Sequence, residues 1–174
     1  IWGAAAVHRA LDDTASFLED LVDQVLAKMN AGARLDEILA AVRPRQDLLE
    51  RPYLAPIYDE PAFIVRNLYR LYGGWWDGNP AHLKPPAPAA LATELAALAG
   101  GPAALADRAR VLAAAGDDAL ACELVELAVA AAPADPAIHV ARAAIYGDRA
   151  KRERSLMARG VSAEGGRGSA ERTL

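Results

Sequence analysis

Residues 58–85 read YDEPAFIVRNLYRLYGGWWDGNPAHLKP, and the organisation of the chain can be worked out from this stretch. Pro61 favours the start of a helix, because the N–H that proline lacks would be unpaired in the first helical turn anyway. The pair Gly73-Gly74 predicts the end of that helix. Trp75 and Trp76 follow among turn-forming residues instead of on a helical face, so the loop is shaped for contact with another surface.

The helix predicted after Pro61 has an apolar and a basic face. Its predicted buried stripe consists of Ile64, Leu68, Leu71 and Tyr72. On the other face, Arg66 and Arg70 lie one helical turn apart, a spacing that could clamp a sulfate or a carboxylate. Ion pairs with Asp59 and Glu60, or with acids of another subunit, are the favoured alternative.

The tryptophans are followed by a turn signal, Asp77-Gly78-Asn79-Pro80. Gly78 is free to adopt positive φ, and Asp77 and Asn79 can hydrogen-bond to their own backbone. We favour a structural turn here over a polar site. Trp75 and Trp76 either cap the core between two helical parts or contact another subunit or domain.

Residues 58–85 resemble the segment that opens the dimerization domain of alkyl sulfatases, zinc hydrolases of the metallo-β-lactamase superfamily that cleave long-chain sulfate esters such as dodecyl sulfate. The resemblance continues more loosely on both sides, through the helical N-terminal stretch that ends at residues 28–32 and through the Ala-rich helices as far as residues 155–158. It implies self-association as a homodimer. In a twofold interface the same patch serves both subunits, and we place it on the exposed apolar face of the first helix and in the region from Tyr58 to Trp76. The predicted contact residues are Tyr58, Phe63, Arg66, Arg70, Tyr72, Trp75, Trp76, Asp77 and Asn79.

A catalytic centre is not expected in this chain. The superfamily binds two metals with a His-x-His-x-Asp-His box, whereas the only histidines here are His8, His82 and His139, none within metal-ligand spacing of another. We therefore predict no catalytic, cofactor-binding or metal-ligating residue, with zinc implied only for the full-length relative. The chain opens Ile1-Trp2-Gly3, as though cut shortly after a metal-binding histidine of the family, so we expect an upstream catalytic domain as a partner.

Composition predicts an all-α protein, since alanine dominates and β-branched residues seldom alternate with polar ones. The formal charge of −4 comes from mixed charges without a basic stripe, which argues against a nucleic-acid partner. No run approaches the roughly 20 apolar residues of a transmembrane helix, so we expect a soluble chain without a transmembrane segment. Any targeting signal is expected upstream, so the compartment stays open. The single cysteine, Cys122, is expected to be a buried thiol.

Three parts are predicted along the chain. Residues 1–88 form a helical part with a long first helix, whose apolar residues recur at spacings of three, four and seven, and a proline-rich linker at its end. Residues 89–161 form a second helical part that resembles tetratricopeptide repeats. Residues 162–174 combine glycine, serine and charge without an apolar period, which predicts a disordered tail.

The tetratricopeptide likeness rests on one well-matched helix pair and part of a second. Small or apolar residues occupy the expected positions of this 34-residue pattern at Ala109, Leu112, Ala121, Ala128 and Pro133, with a turn at Gly116-Asp117. About one and a half repeats are present, whereas roughly three are needed for independent stability. The uncovered face therefore needs another partner, which could be the long first helix, a second copy of the chain, or both.

Two other functions are weaker alternatives. A free-standing adaptor would take a partner peptide in a helical groove, but its repeats are too few. A self-sufficient hydrolase would use acidic and histidine residues of the loop from Gly73 to Pro85 (the Trp loop), such as Asp77 and His82. This alternative predicts ester hydrolysis by the isolated chain.

Overall fold

The computed structural model describes residues 3–173, so Ile1, Trp2 and Leu174 lie outside the described residues. Within that range the protein is all α-helical, as the composition predicts, and no β-strand is present. The chain divides into two compact units, residues 1–84 (unit 1) and 85–174 (unit 2), whereas the linker composition places the division near residue 88. The helices are α1 (Ala4–Asn30), α2 (Leu35–Ala41), α3 (Gln46–Leu49), α4 (Pro61–Gly73), α5 (Pro88–Ala99), α6 (Pro102–Ala114), α7 (Asp118–Ala131), α8 (Pro136–Arg152) and α9 (Leu156–Ala170), with 3₁₀ turns at Pro80–His82 and Glu171–Thr173.

None of the helices in residues 3–173 is by itself long and apolar enough to cross a membrane. Only α5 and α6 taken together have the necessary length and composition, and the chain bends by 82° between them.

The core of unit 1 forms where α1, α2 and α4 meet. Leu21 and Val25 of α1, Ile38 of α2 and Val65 of α4 are at most 2% exposed. The Gln24 side chain joins α1 to the end of α2, because it accepts from the Arg43 N–H at 2.9 Å and donates to the Arg43 carbonyl at 3.0 Å. Apolar burial and these two hydrogen bonds fix the positions of the first two helices.

The predicted buried stripe of α4 is partly wrong. Ile64 and Leu68 are half-buried as expected, but Leu71 is 72% and Tyr72 57% exposed. Val65 and Tyr69 are buried in their place. The helix boundaries, Pro61 and Gly73, are as predicted, but Leu71 and Tyr72 lie in its last turn, where unit 1 leaves them uncovered.

The core of unit 2 is built largely from small residues. Ala109, Ala121 and Ala128 are fully buried, with Val125 between them, so α6 and α7 pack closely around the turn at Gly116-Asp117. Cys122 is a buried free thiol, as predicted. The helix pair thus lies where the repeat pattern places it, while the tetratricopeptide likeness itself stays a prediction.

The disorder predicted for residues 162–174 is contradicted, since α9 and a 3₁₀ turn occupy this stretch as far as Thr173. Ser162, Gly166 and Ser169 are buried on one face of α9 against α8. A Cβ atom on Gly166 would lie 3.4 Å from the Ala143 carbonyl oxygen, which shows how closely the two helices approach. Small side chains therefore pack this helix, although it lacks an apolar period.

Candidate functional site

The first half of α1 carries an apolar stripe that the described residues of unit 1 leave exposed. Val7, Leu11 and Leu18 follow one another at spacings of four and seven, so they share one face of the helix. They are 42%, 63% and 42% exposed, and residues 4–9 are all exposed. Further along α1, one face of the helix is buried against α2 and α4. The stripe therefore belongs to a helix that is only half covered.

A groove of about 270 Å³ adjoins this stripe. Leu18 and Phe17 form one wall, Ile64 of α4 forms another, and residues 53–61 close it. The Tyr53 hydroxyl donates to the Asp13 carboxylate at 2.5 Å, which holds this connector against α1 and raises the pKa of Tyr53. The groove is mainly apolar, as expected of a surface that buries another molecule's side chains.

Two large side chains of the connector stay exposed beside the groove. Ile57 is 62% and Tyr58 67% exposed. Tyr58, one of the predicted contact residues, therefore continues the exposed stripe of α1. We call Val7, Leu11, Leu18, Ile57 and Tyr58 the α1 contact surface.

The Trp loop presents one of its tryptophans to solvent. Trp75 is 75% exposed, while Trp76 is half-buried and meets the Trp75 ring edge-to-face at 5.7 Å. Gly78 has φ +89°, and a Cβ atom there would lie 2.8 Å from Cγ of Arg34, so only glycine fits. The Trp75 ring therefore lies outside the core of unit 1.

Hydrogen bonds between side chains and backbone shape the turn after Trp76. The Asp77 carboxylate accepts from the Asn79 N–H at 2.9 Å and from Nδ1 of His82. The Asn79 side chain accepts from the Ala81 N–H at 3.1 Å and lies 3.3 Å from Nε2 of His82. The hydrogen bond from His82, followed by that from the Asn79 N–H, holds the pKa of Asp77 below its ordinary value. The predicted structural turn is present, and its pairing with His82 was not anticipated.

A second pocket, of about 230 Å³, lies beside this turn. Its lining residues are Leu35, Asp36, Leu39, Arg66, Asp77, Asn79 and His82. Arg66 and Ile64 are two residues apart, so they point about 200° apart around α4. Four of the predicted contact residues thus lie at two separate places. Tyr58 lines the groove, whereas Arg66, Asp77 and Asn79 line the pocket.

Three further predicted contact residues lie on α4. Phe63 is half-buried, and Arg70 and Tyr72 are exposed. In the part of the chain that the structure describes, neither the Arg66 nor the Arg70 side chain makes an ion pair or a hydrogen bond, so the favoured local ion pairs do not form. Residues 3–173 also contain no cluster of three or more histidine, cysteine or acidic side chains that could hold a metal.

Replacing Asp77 with Asn should lower the melting temperature near pH 7, and the difference should shrink as the pH falls below about 3.9. The pKa of Asp77 is lowered by folding, so its carboxylate stabilises the fold above its unfolded pKa of about 3.9. That contribution is lost as the pH falls through the lower, folded pKa. Thermal unfolding followed by circular dichroism between pH 3 and pH 7 measures the difference. Asp12→Asn, at an exposed position, is the control, and a pH-independent Asp77→Asn effect would contradict the charge-based explanation.

The amino-acid sequence is similar to curated sulfatases. Over 116 residues it is 36% identical to a linear primary-alkylsulfatase of Pseudomonas sp. (strain ATCC 19151), covering 66% of this chain and 21% of that protein. Over 136 residues it is 32% identical to an (R)-specific secondary-alkylsulfatase of Pseudomonas sp., covering 78% of this chain and 20% of the relative. The chain therefore spans about a fifth of the length of these relatives.

The fold matches a solved member of the same group. The stereoselective inverting sec-alkylsulfatase Pisa1 from Pseudomonas sp. superposes with a TM-score of 0.85 at 27% identity, over 99% of this chain and 27% of that protein. The family model for alkyl sulfatase dimerisation matches residues 34–167, which include α2 to α8 and most of α9. The chain therefore belongs to the alkyl sulfatase dimerisation family.

Proposed function

We propose that two copies of this chain associate through the α1 contact surface. The observation that carries the proposal is the exposed stripe Val7, Leu11 and Leu18, on a helix that further along buries Leu21 and Val25 in the core. Exposed apolar side chains arranged contiguously are typical of protein interfaces. Membership of a dimerisation family supports a second copy of the chain as the occupant.

The stripe alone is too small for a stable dimer. Interfaces of standard size bury roughly 800 Å² per partner, which three side chains of one helix do not supply. The groove beside Leu18 and the exposed Ile57 and Tyr58 extend the apolar area. In a twofold pair every residue of the surface contributes twice, which favours this continuous patch.

We further propose that the chain is the dimerization part of a zinc-dependent alkyl sulfatase whose metal ligands lie outside these 174 residues. Support comes from the similarity to two alkylsulfatases, of which the chain spans about a fifth. In such an enzyme, zinc would activate the water that attacks the sulfate ester. This chain alone should be inactive. The intact mass of the protein purified from its source tests this proposal, since a species of 18.3 kDa would contradict it.

Sedimentation equilibrium of the chain over a range of concentrations tests self-association. We expect a reversible rise from 18.3 kDa toward twice that mass. A chain that stays monomeric at every concentration, yet captures peptides, would contradict the dimer proposal and favour the adaptor alternative.

A further inference from the structure

The last helix, α9, joins unit 2 through small residues and a buried polar cluster. Its buried positions are Ser162, Gly166 and Ser169, so α9 contributes little apolar surface to the core. The Ser169 hydroxyl is held between two side chains of α8, His139 and Arg142. We call His139, Arg142 and Ser169 the His139 cluster. Because α9 adds so little apolar burial, its attachment depends on these hydrogen bonds.

The hydrogen bonds of the His139 cluster require a neutral imidazole. His139 is 3% exposed, and its Nε2 lies 2.9 Å from the carbonyl oxygen of Pro133, which only accepts, so Nε2 carries the ring hydrogen. Nδ1 therefore accepts from the Ser169 hydroxyl at 3.1 Å, and the same hydroxyl oxygen accepts from Nη1 of Arg142 at 3.0 Å. A proton added to Nδ1 would meet the hydroxyl hydrogen of Ser169. It would also place a second positive charge across one oxygen atom from Arg142.

The acidic side chains that face His139 are already paired. Glu126 of α7 and Glu164 of α9 line the same pocket as His139, but each forms an ion pair with an arginine. Arg172 of the last 3₁₀ turn adds a further positive charge to the lining of this pocket. Within residues 3–173, neither ring nitrogen of His139 bonds to a carboxylate.

The charged groups at the N-terminal end of α8 are engaged as well. The Asp135 carboxylate accepts from the Ala137 N–H at 2.8 Å. Arg110 of α6 pairs with Asp107 and donates to the Ala137 carbonyl at 3.3 Å. The helices that pack against α8 therefore leave a positive charge on the His139 ring without a partner.

We propose that acid releases α9 from unit 2, because the His139 cluster holds together only while His139 is neutral. The cluster lines a pocket of about 360 Å³, which gives protons a route from solvent to the ring. Once α9 has opened, the exposed imidazole takes up a proton with the ordinary histidine pKa of about 6.5. The open form thus binds one more proton than the closed form, so the attachment of α9 is strongest above about pH 6.5 and weakens as the pH falls below it. The cluster lies within unit 2, so the proposal does not rest on the dimer at the α1 contact surface.

Hydrogen exchange of the backbone amides of the whole chain between pH 8 and pH 5, corrected for the pH dependence of the exchange chemistry, tests this proposal. We expect the opening constant of α9 to rise about 30-fold, the ratio for one imidazole that binds its proton only in the open form. Amides of α6 and α7 should change less than about threefold. The other two histidines, His8 and His82, lie in unit 1 and cannot supply this effect at α9.

His139→Gln removes the titrating ring and keeps an amide donor for the Pro133 carbonyl. We expect its opening constant for α9 to change less than about twofold between pH 8 and pH 5, whatever its value at pH 8. His8→Gln, at an exposed position of α1, is the matched control and should keep the full 30-fold change. Equal pH dependence in His139→Gln and in the parent chain would overturn the proposal, because other groups would then drive the opening.

The parent chain gives a second test that does not need the variant to form α9. NMR of the His139 ring nitrogens should show the neutral ring, with its hydrogen on Nε2, for as long as the α9 amides stay protected. A ring that takes up its second proton while the α9 amides keep their protection would show that the closed cluster tolerates the charge, and the proposal would be wrong.

Discussion

Replacing Leu11 with Glu should raise the dissociation constant of the self-associated chain at least about 100-fold. Burial of one leucine side chain contributes about 1.5–3 kcal/mol, and a twofold interface contains Leu11 twice. The loss is then about 3–6 kcal/mol, and each 1.4 kcal/mol changes the constant tenfold. Leu11 is 63% exposed, so the fold itself should be unaffected. Sedimentation equilibrium of the variant and the parent chain measures the change.

Leu98→Glu is the matched control for this prediction. Leu98 is 86% exposed on α5 of unit 2, and the same substitution there adds the same charge without touching the α1 contact surface. We expect its dissociation constant to stay within about threefold of the parent value. If Leu98→Glu separates the subunits and Leu11→Glu does not, the interface lies in unit 2 and the α1 contact surface is wrong.

The helix boundaries of unit 1 could be predicted because single residues determine them. Pro61 starts α4 and the Gly73-Gly74 pair ends it, and both effects act within one turn of the chain. Which face of α4 is buried depends on how far α1 and α2 extend beside it. The apolar period of the sequence carries no information on that extent. Leu71 and Tyr72 fit the apolar period but lie where no helix of the described part of unit 1 covers them.

The error at the C-terminus has a different cause. Residues 162–174 lack an apolar period, but Ser162, Gly166 and Ser169 recur at spacings of four and three. A stripe of small residues also packs a helix, because it lets the neighbouring backbone come close. Gly165 illustrates this, since a Cβ atom there would lie 3.2 Å from the ring of Tyr146. The helical period of this segment is therefore carried by small residues and not by apolar ones.

The candidate site was predicted in part. The exposed apolar face of α1 and Tyr58 came from spacing and from the family resemblance, and both lie at one surface. The pocket at Arg66 could not be predicted, because Leu35 and Leu39 come from a helix about 30 residues earlier in the chain. The bond between His82 and Asp77 depends likewise on the backbone path of the turn.

A polar cluster between α8 and α9 explains why the C-terminal helix is ordered. Arg142 of α8 donates to the Gly165 carbonyl and, at 3.0 Å, to the Ser169 hydroxyl, and it pairs with Glu126 of α7 at 2.7 Å. The guanidinium also lies 4.9 Å from the centre of the Tyr146 ring. One side chain therefore joins three helices.

His139 completes this cluster from within the core, where it is 3% exposed. Its Nε2 lies 2.9 Å from the Pro133 carbonyl, which only accepts, so Nε2 carries the hydrogen. Nδ1 then accepts from the Ser169 hydroxyl at 3.1 Å. Ser169 is thereby satisfied on both sides, by His139 and by Arg142, as a buried hydroxyl requires.

Arg142→Ala should therefore destabilise α9 by about 2 kcal/mol, because the buried Ser169 hydroxyl and the Gly165 carbonyl each lose a charged donor. The ion pair adds little, since the Glu126 side chain is 43% exposed. Hydrogen exchange of the α9 amides measures the loss directly, because it reports the free energy of local opening. Arg167→Ala is the control on α9 itself. The Arg167 side chain pairs with Glu164, but the two side chains are 66% and 71% exposed, so this substitution should cost less than about 0.5 kcal/mol. Equal effects of the two substitutions would show that surface charge, and not this buried cluster, orders the C-terminal helix.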